Sequence, residues 1–600
     1  MEKRSSFSGS IGFVLAAAGS AVGLGNIWRF PYLAAKDGGG RFLLIYIILA
    51  LTFGFTLLMT EVAIGRKTKQ SCLTAYGRIK ASPAVKTVAK WDTEEVPIFQ
   101  EKIAVSILAS IFSLGIYMIY WEYKLIKNIK AIKHEPIGAV KELLCLLFVP
   151  FYSYYWWYTR GEKVKTEFQK KGKSANSTGL VCLLLSIFGL NIVALAIMQS
   201  DFNSIQTKAQ MESPDKAVTS KHWGFLGVLA SIVPFIIMPY YCVIGGWVLK
   251  YALVFITGQG AAAAGDDFFT QFITGYAQPI VYNLVFLLMT AIVIYRGVNK
   301  GIESLSKVLM PILFVLIVGI AVYSLTLNGS ESTEGRTGMQ GLSIYLIPDF
   351  TGTDARGILM TIMDAMGQLF YSISVAMGIM VTYGSYFKDK DNLIKSVNQI
   401  EIFDTIVAFL AGVMIIPAVY VFLGTEGLEN AGPGLVFVAM PKIFAQMGVA
   451  GNILGAVFFI MVLFAALTSC ISIMEAICSG MIDKGMSRKK ATVTEGVIAL
   501  VLSTVVCLGY NVFYFEFKLP NGSVGQILDI MDYLSNNVLM PILAIGTCIL
   551  VGWILKPKTI IDEATKNGER FGRKWLYTAM IKVVAPIMLV ILLLGSLGVY

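Results

Sequence analysis

The stretch GSAVGLGN at residues 19–26 places glycines in the middle of an apolar run that is long enough to cross a membrane. A second run is interrupted at its centre by YSISVAMG, residues 371–378. A helix in lipid must satisfy its own backbone, so such interruptions are tolerated only where the freed backbone is buried or lines a cavity. Paired interruptions in corresponding halves of a chain indicate the binding site of a secondary transporter. For either span alone, close helix packing through small residues is the alternative.

The composition places the whole chain in the membrane class. Of its 600 residues, 56% are hydrophobic and only 14% are charged, whereas soluble domains carry about 25% charged residues. The net charge of +11 lies in short clusters between apolar runs, so a nucleic-acid partner is unsupported. Eight cysteines without a CxxC pair and two histidines disfavour a disulfide framework or a metalloenzyme. Because no GxSxG, HExxH or Walker-type loop is present, we do not expect an enzyme.

Apolar runs of about twenty residues match the hydrocarbon thickness of a bilayer, and they predict the positions of the membrane spans. We expect eleven spans, near 10–35, 42–65, 223–256, 276–295, 304–327, 357–386, 400–423, 451–480, 493–513, 525–555 and 575–599. Lysine and arginine concentrate in alternate loops, which predicts a cytoplasmic N-terminus and an outer C-terminus in a multi-pass plasma-membrane protein. The interrupted spans are the first and the sixth, five positions apart, as in an inverted repeat of five plus five helices with broken helices 1 and 6.

The block at 79–221 interrupts this pattern and divides the core into 1–78 and 222–600. It is rich in lysine and aromatic residues and holds three apolar stretches, near 103–121, 141–158 and 178–199. The spans on either side of it face the cytoplasm, so we expect two crossings and one interfacial aromatic segment. We interpret the block as an inserted helical membrane domain whose protein partner the sequence does not identify.

Several ordered motifs resemble one family. The run AAAGSAVGLGNIWRFPYLAAKDGGGRF (16–42), YGSYF (383–387), AALTSCIS (465–472) and LDIMD (528–532) are similar to the neurotransmitter:sodium symporter family. The resemblance covers roughly 1–78 and 222–600, and it has no equivalent of the block between them. It implies a bacterial-type transporter that couples sodium to an amino acid by alternating access.

The resemblance also implies two sodium sites built only from oxygen ligands, which suit a hard cation. The first is expected to consist of the Ala21 carbonyl, Asn26, the Ser372 carbonyl and hydroxyl, Asp404 and the substrate carboxylate. The second is expected to consist of the carbonyls of Gly19, Val22 and Ala465 with the hydroxyls of Thr468 and Ser469. Outside this context, Thr468 and Ser469 would read as an ordinary polar pair in a membrane helix.

By the same resemblance, the substrate carboxylate would meet the N–H groups of Leu24 and Gly25 and the hydroxyl of Tyr241. The amine would meet the carbonyls of Ala21 and Tyr371 and the hydroxyl of Ser374, beside Ser372. Residues expected around the substrate side chain are Ser20, Ile237, Tyr371, Met377, Ser469 and Ile473. None is charged, so we expect a neutral, hydrophobic amino acid, and the flexible thioether of Met377 would accept an aromatic one. Core packing is the alternative for Ile237, Met377 and Ile473.

Charged residues inside spans need partners, because each costs about 2.5–3.5 kcal/mol at the centre of a helix. The resemblance implies an outer gate formed by Arg29 and Asp532 and an inner gate formed by Arg4 and Asp483. Solvated charges are the alternative for the inner pair. A non-transporting amino-acid sensor that signals through the inserted block is the alternative to a transporter.

Two departures from animal members of the family bear on chloride. Asp404 stands where those relatives carry a neutral asparagine, and Ala408 offers no hydroxyl to chloride. A fixed carboxylate beside sodium can compensate the charge that chloride compensates there. We therefore expect uptake that does not need chloride.

Overall fold

The computed structural model describes residues 6–81, 116–132, 138–148, 151–170, 174–187, 190–204, 221–328, 335–429 and 432–599, with residues 103, 106, 107, 110 and 172. It divides the chain into two compact units. The first consists of Met1–Ser82 and Val218–Tyr600, and the second of Pro83–Ala217.

The first unit is a bundle of long apolar helices, as the composition predicts. Within the described residues, nine helices are long and apolar enough to span a membrane, and a bent helix pair makes ten. The spans are span 1, Ser10–Ala21 with Gly25–Lys36; span 2, Gly40–Thr68; span 3, Gly224–Ile256; span 4, Gln278–Tyr295; span 5, Val298–Thr326; span 7, Leu393–Gly427; span 8, Gly448–Asp483; span 9, Arg488–Leu508; span 10, Ile527–Ile554; and span 11, Lys574–Ser596.

Span 6 is divided into Ala355–Ser372 and Ile379–Tyr386. The prediction of an all-helical polytopic fold with broken helices 1 and 6 is confirmed. By length and composition the described residues contain ten of the eleven predicted spans, and span 6 stays a prediction as a membrane crossing. The two parts of span 1 meet at an angle of 53°. Both breaks fall in the stretches that the glycine and serine pattern indicated.

Short elements connect the spans. The helices are Cys72–Arg78, Gly260–Ala263, Phe268–Ile273, Gly338–Leu346, Leu435–Gln446 and Lys558–Ala564. The strands Phe517–Lys518 and Val524–Gly525 pair antiparallel before span 10. Span 3 packs along span 8, and span 2 packs against the second half of span 6. Because of this packing, side chains of spans 2, 3 and 8 lie next to the two breaks.

The second unit is also helical. Its helices are Ile116–Ile132, Ala139–Phe148, Tyr152–Lys170, Gly179–Ile187 and Asn191–Asn203. None of these described helices is both long and apolar enough to span a membrane. The apolar stretches at 141–158 and 178–199 are each divided between two helices, and much of 103–121 lies outside the described residues. The expected number of crossings therefore stays a prediction.

Candidate functional site

The break in span 1 depends on close approach rather than on unusual backbone. The helix ends at Ala21, and the chain turns back into helix at Leu24. A methyl group at Gly25 would overlap the Tyr371 ring of span 6. A methyl group at Gly23 would lie 2.9 Å from the Ser469 hydroxyl oxygen. These glycines let spans 6 and 8 pack directly against the open backbone of span 1.

The break in span 6 has a strained backbone. Ser374 and Ala376 have φ values of 52° and 57°, and Gly378 has a φ of 72°. L-residues rarely adopt this left-handed region, so the surrounding structure must hold them there. The Ala376 N–H donates to Glu61 Oε1 of span 2 at 2.7 Å, and Glu61 is buried. This bond satisfies a backbone donor that the break leaves without a helical partner.

A polar cluster joins the two breaks to span 7. Asn26 Nδ2 donates to Asp404 Oδ1 at 2.9 Å. The Ser372 hydroxyl oxygen lies 2.8 Å from both Asp404 oxygens and 2.8 Å from Asn26 Oδ1. The Tyr46 hydroxyl lies 3.5 Å from Asp404 Oδ2. All four side chains are buried. The structure thus brings together Asn26, Ser372 and Asp404, the three side chains expected at the first sodium site.

The electrostatics of this cluster favour a cation beside Asp404. Among the described residues, no lysine or arginine forms an ion pair with Asp404 within 4.0 Å. A buried carboxylate without a positive partner is costly. The donor set consists of oxygen atoms, which a hard cation prefers. The residues therefore fit Na⁺ as a transported ion, although its ligation here stays a prediction.

The residues expected at the second sodium site are also close to one another. The Ser469 hydroxyl lies 3.1 Å from the Ser20 carbonyl oxygen and 3.5 Å from that of Gly19. The Thr468 hydroxyl lies 3.2 Å from the Ala465 carbonyl oxygen. Val22 directly follows the end of the first half of span 1. Ser20 joins this group in the structure, although the sequence motifs assigned it only to substrate.

A narrow cavity separates the two breaks from spans 3 and 8. It is lined by Ser20, Gly23, Ile237, Tyr241, Tyr371, Ser374, Met377, Ile379, Ser469 and Ile473. Eight of these were expected around the substrate. Ala21, Leu24, Gly25 and Ser372 lie in the adjoining breaks and do not line the cavity. The centre of a water molecule can occupy about 20 Å³ of it, which is room for roughly one water molecule.

The Tyr241 hydroxyl is the unsatisfied polar group of this cavity. It is buried and makes no hydrogen bond of normal geometry, although the Leu24 backbone and the Ser469 side chain lie near it. Burying a hydroxyl without a partner costs roughly 1–3 kcal/mol on protein scales. An acceptor such as a carboxylate would remove that cost.

Three of the four residues of the predicted gates lie in the described part of the chain. Arg29 and Asp532 do not approach within the 4.0 Å of an ion pair. Asp532 instead accepts a hydrogen bond from Asn536 Nδ2 at 2.7 Å. At the inner gate, Arg4 lies outside the described residues, and Asp483 accepts from the Ser71 N–H at 2.7 Å and the Thr74 hydroxyl at 2.9 Å. The gate roles of these four residues stay predictions.

Sequence reasoning missed three polar contacts at the breaks. Glu61 holds Ala376, Tyr46 lies against Asp404, and Gln368 Nε2 donates to the Gly25 carbonyl oxygen at 3.1 Å. The cost of a carboxylate inside an apolar span would have identified Glu61. No local signal identifies Tyr46 or Gln368, because their partners are distant in sequence.

Comparison with known proteins assigns the chain to a family. The family model described as the Sodium:neurotransmitter symporter family matches residues 4–122 and 273–600, more than half of the chain. The resemblance drawn from the motifs is thereby confirmed. The unmatched stretch between the two matches overlaps the block at 79–221, but its bounds differ from it.

Individual relatives cover nearly the whole chain. The sodium-dependent transporter YhdH of Bacillus subtilis is 27% identical over 100% of this chain and 99% of its own length. The sodium- and chloride-dependent taurine transporter of Rattus norvegicus is 24% identical over 93% of this chain and 73% of its own. The crystal structure of MhsT in complex with L-phenylalanine is also similar, with a TM-score of 0.65. Its sequence is 25% identical to this chain, and the alignment covers 99% of this chain and 100% of MhsT. None of these comparisons supports the sensor alternative.

Proposed function

Because the chain belongs to the sodium:neurotransmitter symporter family, whose function is sodium-dependent transport, we propose that it carries a neutral, hydrophobic amino acid together with sodium. One observation carries the proposal. The unpaired Asp404 carboxylate lies in a polar cluster at the junction of both helix breaks, beside a cavity with largely apolar walls. Such a site neutralises a cation and a zwitterion together and so avoids the cost of burying either charge alone.

The zwitterion fits the polarity of the breaks. The second half of span 1 begins near Leu24 and Gly25, and the N-terminal end of a helix attracts a carboxylate. The unsatisfied Tyr241 hydroxyl lies near the Leu24 backbone and supports the same position for the carboxylate. The Ser20 carbonyl oxygen accepts a hydrogen bond from the Ser374 hydroxyl at 2.9 Å. This acceptor supports a position for the substrate amine near Ser374.

The apolar walls support a hydrophobic side chain. Ile237, Met377, Ile379 and Ile473 line the cavity and none carries charge. MhsT, which has been crystallised with L-phenylalanine, supports an aromatic amino acid. Since the cavity admits roughly one water molecule, the ligand must displace a side chain, and unbranched Met377 can move at the least cost.

Counterflow in proteoliposomes tests this proposal. Vesicles loaded with unlabelled phenylalanine or leucine should accumulate the labelled amino acid in sodium buffer, and not in potassium buffer. Labelled lysine and aspartate serve as charged controls and should not exchange. Binding without exchange would contradict transport, and exchange of the charged controls would contradict the proposed selectivity.

Chloride independence follows from the position of Asp404. Since its carboxylate can compensate a sodium charge, replacing chloride by gluconate should leave the initial rate of uptake unchanged. Asp404→Asn removes that charge. We expect chloride to stimulate the remaining uptake of the double variant Asp404→Asn, Ala408→Ser, which gains a hydroxyl, but not that of Asp404→Asn alone. A loss of wild-type uptake in gluconate would contradict this prediction.

We also propose the arrangement of the chain in the plasma membrane. The N-terminus is cytoplasmic by the loop charges, and residues 79–221 form an inserted domain with its own helices, which the separate compactness of Pro83–Ala217 supports. Cysteine-accessibility labelling at Lys80 and Lys221 tests the topology. Labelling of the two positions from opposite sides would contradict an even number of crossings in the block.

A further inference from the structure

Three sulfur atoms meet where span 3 contacts span 8. The Cys242 sulfur lies 3.7 Å from the Cys470 sulfur, and the Cys470 sulfur lies 3.8 Å from the Met238 sulfur. Met238 and Cys242 are one helical turn apart on span 3, and Cys470 lies on span 8. All three side chains are fully buried.

The two sulfur–sulfur distances from Cys470 match the spacing in a three-coordinate metal site. Metal–sulfur bonds of about 2.3 Å in a trigonal site hold the sulfurs roughly 4 Å apart. Thiolate and thioether ligands select soft ions such as Cu(I) over hard ions such as sodium. We propose that Met238, Cys242 and Cys470 form a binding site for a soft monovalent cation, Cu(I) or its analogue Ag(I). Each thiol that binds the ion releases its proton to water, and no electron is transferred.

A buried carboxyl group lies near the three sulfurs. Glu495 of span 9 is 1% exposed, and its Oε2 has no hydrogen-bond partner. It lies within electrostatic range of the Cys242 thiol. Within the described part of the chain, no three His, Cys, Asp or Glu side chains lie close enough together to hold a metal. The thioether of Met238 would complete the proposed ligand set. Because two thiolates already overcompensate the charge of a monovalent ion, the site does not need Glu495 for charge balance.

The position of the three sulfurs gives a bound ion a consequence for transport. Cys242 follows Tyr241, and Cys470 follows Ser469, so the two thiols come directly after residues that line the cavity. An ion shared by both thiols joins span 3 to span 8 beside the substrate. Ag(I) should therefore inhibit transport. This inhibition rests on the proposed function, whereas binding of the ion does not.

Metal retention by the purified full-length chain tests the site without any transport assay. The protein is treated with Ag(I), desalted, and its silver measured per chain. The wild type should retain one ion more than the double variant Cys242→Ser, Cys470→Ser. Cys548→Ser, which removes one buried thiol from span 10, is the matched control and should retain as much as the wild type. Equal retention by the wild type and the double variant would overturn the proposal.

Met238→Leu keeps both thiols and so tests the site even if the double variant does not fold. X-ray absorption of the Cu(I)-loaded wild type should give three sulfur neighbours, and Met238→Leu should give two. Three sulfur neighbours in that variant would exclude Met238 as a ligand. Loss of two thiols on copper treatment with no retained metal would identify a disulfide pair and overturn a metal site. In vesicles, Ag(I) should inhibit wild-type counterflow and spare the double variant.

Discussion

In span 1 the chain leaves the helix at Val22 without any left-handed residue, whereas in span 6 three of the residues from Ile373 to Gly378 have positive φ. The glycines of span 1 provide space, since Gly23 and Gly25 admit Ser469 and Tyr371 against the backbone. Two of the left-handed residues in span 6 are not glycine, at a cost of roughly 1–2 kcal/mol each.

The difference shows that one break is encoded locally and the other is imposed by its surroundings. Small residues in span 1 are sufficient to let neighbouring spans approach. In span 6, the conformation is held by Glu61 of span 2 through the Ala376 N–H. The break in span 6 should therefore be sensitive to residues that are far from it in sequence.

The largest effect is expected where the two breaks share one carboxylate. Asp404→Ala removes the group that both Asn26 and Ser372 contact. Truncating a partner of a buried charge pair costs about 2–5 kcal/mol, so sodium affinity should fall roughly thirtyfold or more. Asp266→Ala, which removes an exposed carboxylate paired with Lys442, is the control. Sodium-dependent uptake that survives Asp404→Ala would show that the breaks do not meet at a sodium site.

A smaller effect is expected from filling the space in span 1. Gly25→Ala places a methyl group against the Tyr371 ring, and overpacking of this kind costs about 1–3 kcal/mol. The substrate concentration at half-maximal uptake should rise roughly tenfold, while the amount of folded protein stays similar. Gly319→Ala lies in span 5 with nothing close to the added methyl group and should have no effect. Equal behaviour of the two variants would contradict the need for close approach.

Glu61 tests whether the break in span 6 is imposed from outside. Glu61→Leu leaves the Ala376 N–H buried without an acceptor, which costs roughly 1–3 kcal/mol. The thermal unfolding midpoint in detergent and the uptake rate should both fall. Glu61→Gln keeps an oxygen acceptor and should lose less of each. If both variants lose the same amount, the negative charge matters and the hydrogen bond does not.

The smallest effect has the opposite sign. Ala376→Gly relieves a left-handed residue whose side chain has no polar contact, so it should raise stability by about 1 kcal/mol. Ser374→Gly relieves the same kind of strain but loses the hydroxyl bonded to Ser20, so its uptake should fall. The unfolding midpoint and the uptake rate separate these outcomes. A lower midpoint for Ala376→Gly would indicate that the methyl group supports the break.

Much of this site could be predicted because its signals are local. Apolar run length indicates the spans, and glycine and serine clusters indicate both breaks. The family resemblance implied Asn26, Ser372 and Asp404, although they lie on three different spans. The contacts of Glu61, Tyr46 and Gln368 could not be predicted, since each depends on how spans pack.

The gates and the inserted block show what could not be predicted from the sequence. Arg29 and Asp532 were expected to pair, but their approach depends on the relative positions of spans 1 and 10. Opposite charges in a sequence do not fix that distance. Within the described residues of the block, the apolar stretches are divided between helices, and none of these helices is both long and apolar enough to cross a membrane.

The small volume of the cavity has a consequence for the heat of binding. A site with room for roughly one water molecule has little ordered water to release when an apolar side chain enters. The usual entropic gain of hydrophobic association is then largely missing, and dispersion contacts with the isoleucine and methionine walls must supply the affinity. Once Met377 has moved aside, we expect binding of the proposed amino acid to be driven mainly by enthalpy at room temperature, with a negative change in heat capacity as apolar surface is covered.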